Sequence, residues 1–224
     1  MKEKIEWFKP FANAHDFKDW FSIGAGILMG VVNLMAMIHG KSMLFAALLS
    51  FYFGFALMRM VLLLLKKTNH THFCTMGLIT SGFLLFTMPI FNVALFVLAA
   101  GEDLIHFPFR SMIYGYAFYA FYKAVSAIMS IREGRKQQSA YLQCVSILSL
   151  LSAAYTMLSL TANLAYQQGV SDDSSMKGTE LALLVATMIY IVVMIIWLDV
   201  RGIRDFIKYR KEKQKAAPKM PQDH

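Results

Sequence analysis

The chain has 224 residues, 57% of them hydrophobic and only 16% charged, with a mean hydropathy of +0.49, where an ordinary soluble domain carries about 25% charged residues. This excludes a soluble fold: at about 20 apolar residues per membrane-spanning helix, six spans use about 120 residues and leave only short loops, with no room for a separate soluble domain. The formal charge of +8 reads as the basic side of a membrane protein rather than a nucleic-acid footprint, and two cysteines are too few for a disulfide framework.

Residues 1–20 mix Lys, Glu and Asp with Trp7, Phe8, Phe11, Phe17 and Trp20, the pattern of a segment lying at the headgroup level on the cytoplasmic side. Its charges exclude a cleavable signal peptide, so the first apolar run is expected to be its own signal-anchor. Apolar runs follow at about 21–39, 43–65, 76–100, 109–131, 141–166 and 180–200. They are continuous rather than alternating, which rejects a barrel and predicts an all-α polytopic protein, a six-transmembrane-helix bundle over residues 21–200. Seventeen of the 22 Lys and Arg then fall on one side and three on the other, with Arg59 and Lys123 inside spans. That bias places both termini in the cytoplasm of a cell membrane. The Asn69-His70-Thr71 triplet falls on the cytoplasmic side, where it stays unglycosylated.

In span 1, Gly26 and Gly30 form a Gly-x-x-x-Gly spacing for close helix contact, internal or in a homo-oligomer. Span 2 carries Tyr52 seven residues before Arg59, and span 4 carries Tyr116 seven before Lys123. Spans 1 and 3 share Met29-Gly-Val-Val-Asn33 and Met88-Pro-Ile-Phe-Asn92, so spans 1–2 and 3–4 read as one helical hairpin used twice, with spans 5–6 a degenerate third copy. A ring of three hairpins would suggest mitochondrial carriers, but their proline–acid–x–x–base signature is missing from the odd-numbered spans.

Arg59 and Lys123 are the sharpest signal. They lie about 10 and 13 Å deeper than Lys66 and Arg132, where insertion of a charge costs ~2.5–3.5 kcal/mol at mid-membrane. Asp199 is the one acid placed to partner them. Two cations with a single acid suggest a cavity that receives a small anionic solute; the alternative is that both side chains snorkel to the headgroups. Tyr116, Tyr119, Lys123, Ser126 and Ser130 form a polar stripe on span 4, and Ser149, Ser152, Thr156, Ser159 and Asn163 form another on span 5, which serves either a lined groove or close packing. Pro89 should kink or break span 3 near Asn92, and broken helices are where transporters bind solutes. The candidate binding residues are therefore Arg59, Lys123, Tyr52, Tyr116, Ser126, Asn92 and Asn163.

His70, His72, Cys74 and Cys144 could form a zinc set, but no Cys-x-x-Cys knuckle supports one and no metal or cofactor is expected. Glu102, Asp103 and His106 form an outer-loop group of the kind exposed loops often hold. Hydrolase elbow, zinc-protease, P-loop and dinucleotide signatures are missing, so no enzymatic activity is expected. Residues 201–224 form a basic cytoplasmic tail with Ile203, Phe206, Ile207 and Tyr209 interleaved, suited to anionic lipid headgroups.

Phe118-Tyr-Ala-Phe-Tyr-Lys123-Ala-Val-Ser126-Ala-Ile, the basic turn through Lys136 and Thr156-Met-Leu-Ser-Leu-Thr161 resemble a pattern in small six-span bacterial membrane proteins without an assigned activity. The resemblance covers spans 4 to 6 and implies a bacterial cytoplasmic membrane, with no cofactor or catalytic residue attached. The size also suits vitamin-binding subunits of energy-coupling transporters, whose small-residue docking motif is not clear here. Two functions follow as expectations: binding or transport of a small anionic solute between spans 2, 4 and 5, or a non-transporting accessory role in contact with a partner membrane protein.

Overall fold

The computed structural model describes residues 14–40, 43–68, 72–99, 110–137, 139–167 and 174–216. All six elements there are α-helices: α1 (Ala14–Gly40), α2 (Met43–Lys67), α3 (Phe73–Ala99), α4 (Arg110–Gln137), α5 (Ala140–Gln167) and α6 (Ser174–Ala216). Among the described residues there is no strand. Among the described residues three helices carry segments long and apolar enough to cross a membrane, Phe73–Val93, Ala140–Thr161 and Lys177–Lys211, and α1 holds a shorter apolar stretch, Asp19–Met35. Large apolar side chains such as Phe86, Phe96, Phe118, Phe121 and Ile128 stand exposed on the outside, an arrangement suited to hydrocarbon as the surrounding solvent.

Helices pair as α1 with α2, α3 with α6 and α4 with α5, and α5 also touches α2, α3 and α6. The hydroxyl stripe of α5 explains its central place. Ser149, Ser152, Thr156 and Ser159 are all buried, and their small size admits four neighbouring helices. Ser149 and Thr156 donate to the carbonyls of Val145 and Ser152 one turn earlier, at 2.7 and 2.6 Å, so little polarity is left unsatisfied. Two glycines lie in the α3–α6 contact. A Cβ on Gly77 would lie 3.6 Å from the Leu198 carbonyl oxygen, and one on Gly202 would lie 3.7 Å from the Cα of Cys74.

Several expectations meet a different outcome. Spans 3 and 4 do not pair as the repeated hairpin requires: among the described residues α3 packs on α6, α5 and α2 and has no close backbone contact with α4. The helix α3 runs unbroken through Pro89, which sits on the exposed face. Gly26 and Gly30 face α2, with Ala56 3.5 Å and the Phe53 ring 3.1 Å from the positions their Cβ atoms would take; the motif serves an internal contact. Residues 14–20 continue into α1 without a break, and the basic residues from Arg201 continue α6 as one helix of 43 residues, about 65 Å long. Residues 1–13 and 217–224, the Asn69-His70-Thr71 triplet and the Glu102, Asp103, His106 group lie outside the described residues.

Candidate functional site

The two cations that the sequence sets within apolar runs are buried inside the bundle: Arg59 is 6% exposed and Lys123 3%. They come from α2 and α4, and each lies within electrostatic range of the other. Arg59 donates to the Ser22 hydroxyl of α1 and to the Ser149 hydroxyl of α5, the latter at 2.6 Å. Ser149 can accept because its own proton is already given to the Val145 carbonyl. One guanidinium thus ties three helices together. Its Nε is buried with no hydrogen-bond partner.

On the side of the chain's basic end, Asp19 of α1 lies within electrostatic range of Arg59 and accepts a hydrogen bond from the Tyr141 hydroxyl at 2.6 Å. The Lys66 ammonium lies 4.8 Å from the centre of the Tyr141 ring. Asp19 therefore takes the part expected of Asp199. Asp199 sits on α6, which among the described residues packs on α3 and α5 alone, so it is not brought to the cations. One of its carboxylate oxygens is buried without a hydrogen bond.

Lys123 lies one layer further in. Its ammonium is 5.2 Å from the centroid of the Tyr119 ring, a favourable place for a cation over a π face. Among the described residues no carboxylate is in salt-bridge contact with it or with Arg59. Ser126 and Ser130 are buried beside it on α4. Tyr122 has Ser22 and Ser126 within hydrogen-bonding reach and packs edge-on against Phe21 at 5.5 Å between centroids.

Two turns from the cations, the hydroxyls of Tyr52 and Tyr116 hydrogen-bond to each other. Asn33 of α1 and Ser159 of α5 lie within reach of the Tyr116 hydroxyl, and Asn33 also donates to the Met29 carbonyl at 2.7 Å. Beyond this pair the interior is aromatic: the ring of Phe51 lies 3.9 Å from that of Tyr155, 4.4 Å from that of Phe55 and 5.6 Å from that of Phe91. The hydroxyls of Tyr119 and Tyr155 are buried without hydrogen-bond partners. Since α4 approaches only α5 closely along its backbone among the described residues, the seam between α4 and the α1–α2 pair is filled by these long side chains.

Of the residues singled out in the sequence, Arg59, Lys123, Tyr52, Tyr116 and Ser126 are buried in this one region. Asn92 is exposed on α3 and is not brought to it. The side chain of Asn163 lies outside the described residues. Ser22, Asn33 and Asp19 were missed, although Ser22, Gly26, Gly30 and Asn33 recur at helical spacing as small or polar residues, a stripe that marks the inner face of α1. For the zinc set, His70 lies outside the described residues, and no group of three His, Cys, Asp or Glu side chains is assembled among those described. No protein-family model matches the chain, and neither a characterised protein nor a solved structure matches it.

Proposed function

We propose that this chain is a six-span protein of a cell membrane, with both termini cytoplasmic, that binds and transports a small anionic solute between α2, α4 and α5. Arg59 and Lys123 are the charge partners, and Tyr119, Tyr52, Tyr116 and Ser126 provide neutral hydrogen-bonding groups around them. The observation that carries this reading is the inward convergence of both cations. Side chains that merely snorkel would reach outward to the headgroups. Among the described residues Asp19 is the acid within electrostatic range of Arg59, and it is engaged by Tyr141. A buried positive charge without a counter-charge is costly, and a bound anion relieves that cost while using the unpartnered Arg59 Nε and Tyr119 hydroxyl. Seventeen basic residues on one side supply the orientation.

In vesicles, Arg59→Ala and Lys123→Ala each reduce uptake of the transported anion by about tenfold or more, the loss expected from a charge-assisted hydrogen bond. The probes are radiolabelled phosphate, sulfate and small carboxylates. Unchanged flux in both variants contradicts the proposal.

The packed rings of Phe51, Phe55, Phe91 and Tyr155 favour a second reading. They leave the half of the bundle beyond the tyrosine pair filled, as suits an accessory protein that transports nothing. Such a protein co-purifies with a partner membrane protein at fixed stoichiometry, and its vesicles show no flux.

A further inference from the structure

A second feature stands apart from the cation pair. A cavity of about 530 Å³ opens between α5 and α6, closed at one edge by Ile131 and Gly134 of α4. Its walls are apolar along Ile147, Leu150, Val193 and Met194, and it ends at Trp197 and Arg201. Tyr190 closes the other end, its hydroxyl donating to the Ile147 carbonyl at 3.4 Å.

Along α6 the residues bordering this groove continue as one helical stripe. Tyr190, Val193, Met194 and Trp197 are followed at steps of three or four by Arg201, Arg204 and Lys208. A single face of one helix therefore changes from apolar to cationic at Trp197. The stretch from Tyr190 to Arg201 spans about 16 Å, close to half of a hydrocarbon core of about 30 Å. Arg201 is held rather than free: its guanidinium lies 4.6 Å from the centroid of the Phe73 ring and 5.1 Å from that of Trp197. Just past it, a depression is lined by Arg201, Arg204 and Lys208 with Asp205 the one acid among them. The groove is also lined by Gln143, whose side-chain oxygen is buried without a hydrogen-bond partner.

These features match one molecule from end to end. We propose that the α5–α6 groove seats a single anionic glycerophospholipid, its acyl chain along Ile147, Leu150, Val193 and Met194 and its phosphate at Arg201. Arg204 and Lys208 add to the positive field that holds the phosphate. A hydroxyl of the headgroup donates to the Gln143 oxygen, which favours a polyol headgroup over choline, since choline has no donor. The site depends on the chain's being in a membrane but not on the anion site, because neither Arg59 nor Lys123 borders it.

The test is native mass spectrometry of the full chain, purified in detergent and incubated with palmitoyl-oleoyl phosphatidylglycerol or the matching phosphatidylcholine. One phosphatidylglycerol is expected to stay bound per chain, favoured over phosphatidylcholine. Arg201→Gln should lower its occupancy by about fivefold, the size expected for one basic group near the surface, and Lys211→Gln, further along the helix, should leave it unchanged. Val193→Trp fills the groove and should expel both lipids, which decides the matter if Arg201→Gln fails to fold. Equal losses from Arg201→Gln and Lys211→Gln, or retention in Val193→Trp, would overturn the proposal. Arg59→Ala should leave the lipid bound, so failure of the anion site and failure of this one are told apart.

Discussion

Lys123→Met is expected to make the protein more stable and unable to bind its anion. Methionine has nearly the length of the lysine stem and no charge, so the buried space stays filled. Among the described residues the Lys123 ammonium has the Tyr119 ring beneath it and no carboxylate against it. Its nearby charge is Arg59, of the same sign. Removing an unpaired buried charge and that repulsion should raise stability by about 2 kcal/mol, within the range found when buried ionic groups give way to apolar ones. Loss of function with a gain in stability is the signature of a binding site held under electrostatic strain. Thermal unfolding in detergent, with and without phosphate or small carboxylates, checks both halves: the midpoint rises, and its response to added anion disappears. A fall in the midpoint would make Lys123 a structural group.

Arg59→Ala has the opposite sign. Arg59 gives two charge-assisted hydrogen bonds, to Ser22 and Ser149, each contributing about 1.5–3 kcal/mol, and through them it joins α1, α2 and α5. Truncation removes both bonds and leaves a space among Ser22, Tyr122 and Ser149, while relief from one buried charge offsets part of the loss. The net expectation is destabilisation by about 2–3 kcal/mol, read as a lower thermal midpoint, together with loss of the anion response. Arg59→Lys keeps the charge but lacks the fork that reaches two hydroxyls at once, so it should fall between Arg59→Ala and the unaltered chain in stability. If Arg59→Ala and Lys123→Met moved the midpoint in the same direction, the separate roles given to the two cations would be wrong.

The sequence reveals the site's charges better than its neighbours. Arg59 and Lys123 stand out because a charge in an apolar run is rare and costly, and the seven-residue spacing to Tyr52 and Tyr116 places each tyrosine on the face of its cation. The structure joins those two tyrosines directly. Ser22, Ser149 and Asp19 were harder to read, because their importance depends on which helices adjoin α2, and apolar periodicity does not specify pairing. The same gap explains Asp199, which has a suitable depth but lies on a helix that packs against α3 and α5. Asn92 shares a spacing with Asn33 and lies near the proline expected to break span 3, yet Asn33 is buried near Tyr116 and Asn92 is exposed. A shared spacing records a local pattern, whereas the pairing of α3 with α6 sets which face turns inward. Pro89 likewise suggests a break, but a proline inside a helix removes a single backbone hydrogen bond, and α3 runs on through it.

In the proposed function Arg59 and Lys123 together hold one anion in the interior of the bundle. Anomalous diffraction from crystals grown with bromide in place of chloride tests it most directly. The expected result is a bromide peak within hydrogen-bonding distance of the Arg59 Nε and the Lys123 ammonium, lost in Lys123→Met. A map with no peak between them, and with both cationic groups closed in by protein atoms, would contradict it.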